Sequence, residues 1–224
     1  MTKITKEPTG SFSPFYGCAI MAMAALMFGG IVGWSLYTLT KQDSAIAKFT
    51  VEQPAPPARQ SLSVADQAAF ITKLNAFAQD ATAGKPVTLV LSLPELNTLI
   101  DLAPDTGYGN FKEMIAFTSL KPGDSLVANV SLPLNKLKYW EGKRYAVGEA
   151  TFVTEMSKDK DGGPDLRLTA LTIPGKDVST GFIDAFASWH WLSPYHKLPA
   201  FEPVMKAVKK ISVTEQGVVL STVP

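Results

Sequence analysis

Residues that usually mark catalytic or cross-linked proteins are scarce in this sequence. Its 224 residues include one cysteine, Cys18, and two histidines, His190 and His196. A single cysteine excludes an intrachain disulfide and a zinc site built on two cysteines. The histidines lie six positions apart, with a proline between them and no carboxylate nearby in the sequence, which is a poor zinc pattern. Neither HExxH nor GxSxG occurs, so the sequence predicts surface or interface histidines, no cofactor and no metal.

An excess of one charge sign is also absent. Lysine and arginine total 21 and aspartate and glutamate total 20, which gives a net charge of +1. This balance gives no reason to expect a nucleic-acid partner. Charged residues make up only 18% of the chain and apolar residues 46%, whereas a soluble chain typically has about 25% charged residues. A membrane segment is the first explanation for the apolar excess.

The longest uncharged stretch covers residues 15–39. About 20 apolar residues in a helix span the ~30 Å hydrocarbon layer, and this stretch has 25 residues. A cleaved signal peptide is the alternative, but its apolar region is usually only ~7–15 residues long. The sequence therefore favours an uncleaved signal anchor, with a tail over residues 1–14 and a single transmembrane helix over residues 15–39.

The predicted anchor also suggests an orientation and a partner surface. The N-terminal tail is short and a foldable domain follows the helix. We therefore expect a single-pass protein of the cell membrane whose N-terminus lies on the inner side and whose C-terminal domain is exported, periplasmic or extracellular. Ala25, Gly29 and Gly33 form a row of small residues on one helix face, which would let two membrane helices approach closely. The expected partners are therefore the bilayer and either a second copy or another membrane protein.

The remaining chain predicts a linker and one α+β domain. Residues 40–62 are polar and proline-containing, which is typical of a spacer. Residues 63–224 begin with capping signals for two helices, at Ser63 and Ser92. Apolar residues then alternate along several stretches, which predicts a curved antiparallel β meander packed on helices.

Four stretches of the sequence, taken in order, are similar to a known family of proteins. They are LSLPELNTLI at 91–100, VSLPLNKLKYWEGKRYAVG at 130–148, DLRLTALTIPGKDV at 165–178 and KKISVTEQGVVLS at 209–221. With the anchor, this order resembles YpmS-like membrane-anchored bacterial envelope proteins, which are similar to tubular lipid-binding (BPI-like) folds. The resemblance implies a curved sheet around a long helix, an apolar groove and lipid handling. It implies no catalytic residue.

The richest candidate site is an aromatic segment over residues 182–201. Its members are Phe182, Phe186, Trp189, Trp191, Tyr195 and Phe201. Phe182, Phe186 and Trp189 are spaced by four and three residues, which is typical of the core face of one helix. The alternative is an apolar groove mouth or partner-docking patch, because tryptophan and tyrosine favour half-wet surfaces.

Two loops offer weaker candidates. Lys136, Lys138, Lys143 and Arg144 surround two aromatic residues, which suits either contact with anionic headgroups or a solvated hairpin rim. A second group consists of Asp159, Asp161 and Asp165 beside two glycines. Alternating oxygen ligands suit Ca²⁺, but the EF-hand register fails at Ala170, so we expect a solvated hairpin.

Three functions remain open from the sequence. The first is binding of a lipid-like or other hydrophobic ligand by the exported domain. The second is a structural or accessory role in a larger membrane complex. The third, an enzyme, would have to use one of the two histidines, and the sequence therefore predicts a non-enzyme.

Overall fold

The structure, a computed structural model, describes residues 14–105, 111–121, 123–134, 144–157 and 162–223. The chain divides into two compact units, Met1–Ala47 and Lys48–Pro224. It is an α+β protein with an N-terminal apolar helix and antiparallel sheets, as predicted.

The first helix, α1, runs over Pro14–Phe49. Its apolar part has a mean hydropathy of 2.0 with none of it buried, so by length and composition it is a candidate membrane span. The helix continues ten residues beyond the predicted end at residue 39. Residues 40–49 contain neither proline nor glycine, the two residues that most disfavour a helix interior. The helix can therefore continue past residue 39, and the first proline after it is Pro54.

The second unit contains both helices and strands, and strands β2 to β5 follow one another directly along the chain. Its helices are α2 Val64–Thr82, α3 Leu93–Leu102, α4 Phe111–Met114, α5 Thr180–Ala187, α6 Ser193–His196 and α7 Glu202–Ala207. Its strands are β1 Thr88–Leu91, β2 Ile115–Lys121, β3 Ser125–Pro133, β4 Tyr145–Met156, β5 Pro164–Thr172, β6 Lys210–Val213 and β7 Val218–Ser221.

Strands β2 to β5 form one antiparallel sheet in chain order, which confirms the predicted meander. Its inner face carries the buried side chains of alternate residues, among them Leu126, Leu132, Phe152 and Leu168. The outer face carries the odd-numbered residues of β3 and β4. The even-numbered residues of β3 are apolar and lie on the inner face, because successive side chains of a strand point to opposite faces of the sheet.

A second sheet has the order β1-β7-β6. The hairpin of β6 and β7 is predicted by the sequence, but the pairing of β1 with β7 is not, because Leu89 and Leu220 are about 130 residues apart. The capping predictions are confirmed at both helices. The Ser63 hydroxyl accepts the Asp66 N–H at 3.3 Å, and the Ser92 N–H donates to Glu95 Oε2 at 2.8 Å.

Residues 51–62, called the strap here, lie within the second unit and are hydrogen-bonded to its sheet and helices, which differs from the predicted free spacer. Val51 exchanges two backbone hydrogen bonds with Tyr145, at 2.9 and 2.7 Å. Farther along, the Ala55 N–H donates to Ser131 Oγ at 3.2 Å and the Leu62 N–H to Thr98 Oγ1 at 2.9 Å. The proline-rich stretch has extended backbone, which lets it follow the outer face of the sheet.

The strap is pinned most firmly at Arg59. Its guanidinium donates to the Asp101 carboxylate and to the backbone carbonyls of Lys112 and Ile115. The Arg59 side chain is only 10% exposed. The Arg59 guanidinium therefore joins the strap to the Asp101 side chain on α3 and to the backbone of residues 112–115.

Candidate functional site

An open depression of about 520 Å³ lies on the outer face of the four-stranded sheet. The strap supplies one wall, through Ala55 and Pro57. Pro174, just beyond β5, also lines the depression. We call this depression the strap groove. Its volume lies in the range of small-molecule sites, about 300–1,000 Å³.

Local sequence explains why the sheet leaves this space. The pairing of β4 with β5 ends at Glu149 and Thr172, two residues before Pro174. Proline has no N–H to continue a ladder. Gly148 lies beside this end, and a Cβ atom there would sit 2.2 Å from the Thr172 carbonyl oxygen. Only glycine allows β4 and the end of β5 to approach so closely.

The floor of the strap groove is partly apolar and partly polar. Val147 contributes an aliphatic side chain from β4. Asn129, Glu149 and Thr172 are exposed and line the same depression. A surface of this composition suits an amphiphile, whose alkyl part contacts Val147 and the prolines while its polar part contacts the other three side chains.

The aromatic segment is largely core. Phe186, Trp191 and Tyr195 are buried. Trp191 meets Phe152 edge-on at 5.4 Å between ring centroids, in the geometry that aromatic pairs favour. Phe182 and Trp189 are half-buried, and Phe201 is exposed. Among the six aromatic side chains, only Phe182, Trp189 and Phe201 keep surface that a ligand or partner could contact.

Tyr195 shows how strongly this segment is integrated. Its hydroxyl donates to the Pro104 carbonyl at 3.2 Å. Burial, together with the negative charge of Asp105, raises the pKa of Tyr195 to about 12. The neutral phenol is therefore the form that the fold retains.

Asp165 and His190 form a pair that the sequence does not reveal. Asp165 Oδ2 lies 2.7 Å from His190 Nδ1, and Asp165 Oδ1 accepts the backbone N–H groups of Leu166 and Leu192 at 2.8 and 2.9 Å. The predicted solvated position of Asp165 is wrong, because its side chain is 1% exposed. The fold therefore brings a carboxylate to His190 from 25 residues away, although none is nearby in the sequence.

The two histidines have different environments. The His190 side chain is 51% exposed and contacts the buried Asp165 carboxylate through Nδ1. His196 is buried, and its Nε2 donates to the Pro164 carbonyl at 2.8 Å, so the predicted surface position is wrong for this residue. Gly163 permits this packing, because a Cβ atom there would come within 3.3 Å of the His196 ring.

A histidine paired with a carboxylate can orient a base or a metal ligand. Within the described residues, no group of three or more His, Cys, Asp and Glu side chains could hold a metal ion. The pair links the start of β5 to the segment that precedes α6.

The remaining sequence candidates divide between described and undescribed positions. Lys136, Lys138, Lys143, Asp159 and Asp161 lie outside the described residues. Arg144 is half-buried, and its carbonyl accepts the N–H of Leu134 at 2.9 Å.

The row of Ala25, Gly29 and Gly33 lies on α1 and is exposed. A Cβ atom added to Gly29 or Gly33 would meet nothing within 4 Å.

Comparison with known proteins gives no match to this chain among family models, curated proteins or solved structures.

Proposed function

We propose that this chain is a single-pass membrane-anchored envelope protein whose exported α+β unit binds a lipid-like or other hydrophobic ligand in the strap groove. The single observation that carries the proposal is the open depression of about 520 Å³, whose lining includes the apolar residues Pro57, Val147 and Pro174. An elongated, flexible apolar molecule can lie in such a channel and still reach water with its polar end.

The packing of the inner face favours the outer face as the ligand site. Phe111, Phe152 and Trp191 fill the space against the inner face of the sheet, with ring centroids 5.4 to 5.9 Å apart where they meet Trp191. The resemblance to YpmS-like proteins supports the same class of ligand. In this proposal the sheet curves as in BPI-like folds, and the ligand lies beneath the strap.

The anchoring part of the proposal rests on α1. Trp34 and Tyr37 lie near the end of the apolar stretch, where aromatic residues favour the membrane interface. The Lys41 ammonium lies 4.8 Å from the centre of the Tyr37 ring. This arrangement suits a membrane interface at the C-terminal end of the apolar stretch.

The ligand proposal is tested by native mass spectrometry of the full chain released from mild detergent. We expect a co-purifying lipid that is lost in Val147→Asp, because a carboxylate on the groove floor would have to be desolvated against an alkyl chain. Ile71→Asp is the matched control, since Ile71 is a partly exposed residue of α2 outside the groove. Retention of the lipid in Val147→Asp, with an unchanged melting temperature, contradicts the proposal.

A second candidate, an accessory subunit of a membrane complex, is favoured by the bare strip at Gly29 and Gly33. Such strips allow close helix contact. Gly29→Leu is expected to abolish a crosslinked species in membranes, whereas Leu26→Val, a change among large residues, should leave it intact. A monomer in both variants and in the parent chain contradicts this candidate.

A further inference from the structure

Three polar side chains form one row across the floor of the strap groove. Asn129 on β3 is directly opposite Glu149 on β4, and Glu149 is directly opposite Thr172 on β5. Neighbouring strands are about 4.8 Å apart, so the three side chains stand side by side on the outer face. The row offers a carboxylate, an amide oxygen and a hydroxyl oxygen as acceptors.

Glu149 sets the charge of this row. It is the one charged side chain that lines the groove within the described part of the chain, and no described Lys or Arg forms an ion pair with it. A ligand that places a cation beside Glu149 therefore gains an attraction without displacing an existing partner, whereas an anionic group is repelled.

Apolar surface begins next to the row. Val147 lies two residues from Glu149 on the same face of β4. Pro57 and Pro174 flank this floor. An alkyl chain that starts at the row can thus run over Val147 between the two prolines.

We infer that the strap groove selects an amphiphile with a primary ammonium head, which donates to Glu149, Asn129 and Thr172 while its alkyl chain contacts Val147. The inference rests on the proposed function and names its class of ligand. A primary ammonium has three N–H donors, which matches the three acceptors of the row. The negative charge of Glu149 attracts the ammonium head and repels the head of an acidic lipid, so the groove should prefer the ammonium amphiphile.

The test titrates the full chain in neutral-detergent micelles with decylammonium, decanol and decanoate, and counts bound adducts by native mass spectrometry. Each probe is compared between variants, so its partition into micelles cancels. Glu149→Gln keeps the size of the side chain and removes its charge. We expect it to lower decylammonium binding about three- to fivefold and leave decanol unchanged, as for an exposed ion pair.

Two further variants make the result decisive. Glu149→Lys should reverse the preference, so that decanoate binds better than decylammonium. Glu215→Gln, which removes an exposed carboxylate from the turn between β6 and β7, should change neither. Equal binding of decylammonium by the parent chain and Glu149→Gln overturns the inference.

Failure of the proposed function has a different signature. Decanol carries no charge, so its binding reports the apolar groove alone. If Val147→Asp abolishes decanol binding while the Glu149 variants have no effect, the groove binds hydrophobic ligands without head selection. If Val147→Asp leaves decanol binding unchanged, the groove is not the ligand site, and both proposals fail.

Discussion

Asp165 and His190 are hydrogen-bonded at 2.7 Å across 25 residues of sequence, with the carboxylate buried and the imidazole half in solvent. The same carboxylate accepts the backbone N–H of Leu192 at 2.9 Å. Asp165 thus fixes the start of β5 to the segment between α5 and α6. The buried Trp191 lies within this segment, so the pair helps to set the position of a core side chain.

Replacement of Asp165 by alanine should destabilise the second unit by about 3 kcal/mol, because the Leu192 N–H and the imidazole lose a buried charged acceptor. His190→Ala should cost only about 1 kcal/mol, since half of the imidazole is already solvated. Thermal unfolding of the full chain in detergent measures both. Equal costs for the two variants would show that the carboxylate has no separate role with Leu192.

The Asn97 side chain makes the backbone hydrogen bonds that a neighbouring strand would otherwise make at the edge strand β2. Its amide accepts the Phe117 N–H and donates to the Phe117 carbonyl, each at 2.9 Å, and it also donates to the Gln60 carbonyl at 3.3 Å. The side chain is fully buried. Asn97→Asp should lower the free energy of unfolding by more than about 3 kcal/mol, because the carboxylate cannot donate and carries a buried charge.

The matched control for this prediction is Asn75→Asp on the exposed side of α2. Surface substitutions usually change stability by less than about 0.5 kcal/mol. Chemical denaturation of both variants measures the difference. Similar midpoints for Asn97→Asp and Asn75→Asp would mean that water replaces the lost donor.

The sequence predicts the parts of this fold that depend on neighbouring residues. The cap at Ser63 and the strand over β3 each carry a local signal, and both are confirmed, although Val127 and Ser131 on the outer face of β3 are buried as well. The contacts of Asn97 with Phe117 and of Asp165 with His190 carry none, because they join single polar side chains across 20 and 25 residues. No periodicity marks such contacts before the chain is folded.

The strap groove illustrates the same limit. The alternation around Val147 and Glu149 predicts a strand, and Pro57 is typical of a spacer. The groove forms only because the proline-rich stretch crosses the outer face of the sheet. That crossing depends on Arg59, whose acceptors lie 42 to 56 residues away.

Removal of the Arg59 side chain should release the strap. Arg59→Gln is expected to lower stability by about 2 kcal/mol, since the Ile115 carbonyl loses the guanidinium donor and the Asp101 carboxylate keeps only its bond from the Ser61 hydroxyl. Hydrogen exchange should accelerate at Ala55 and Leu62, whose N–H groups are bonded in the bound strap. Arg167→Gln, which breaks an exposed ion pair with Glu155, is the control and should leave this exchange unchanged.

Glu95 makes part of the stability depend on pH. Burial raises the pKa of Glu95, but hydrogen bonds from Lys73 and Ser92 together with the Lys73 charge lower it by more, so it lies below the ordinary 4.5. A lowered folded-state pKa stabilises the fold above the unfolded-state value, and this stability is lost as pH falls through the folded-state pKa.

The measurement is the melting temperature of the full chain from pH 7 to pH 3. The parent chain should lose more stability below pH about 4.5 than Glu95→Gln does, because the neutral amide does not titrate. Lys73→Gln should reduce the same loss in part, since one of the groups that lower the pKa is removed. Parallel curves for the parent chain and Glu95→Gln contradict the role of Glu95.

Gly148 allows the end of β5 to approach β4 beside the strap groove. A Cβ atom would lie 2.2 Å from the Thr172 carbonyl oxygen, so Gly148→Ala must push the strands apart. We expect a loss of about 2 kcal/mol from this overpacking, together with weaker ligand binding as Thr172 moves away from Glu149. Gly181→Ala is the matched control, because a Cβ atom there meets nothing within 4 Å and alanine favours the helix of α5. A melting temperature that falls in Gly148→Ala and rises or stays constant in Gly181→Ala supports the close approach, whereas equal shifts in the two variants contradict it.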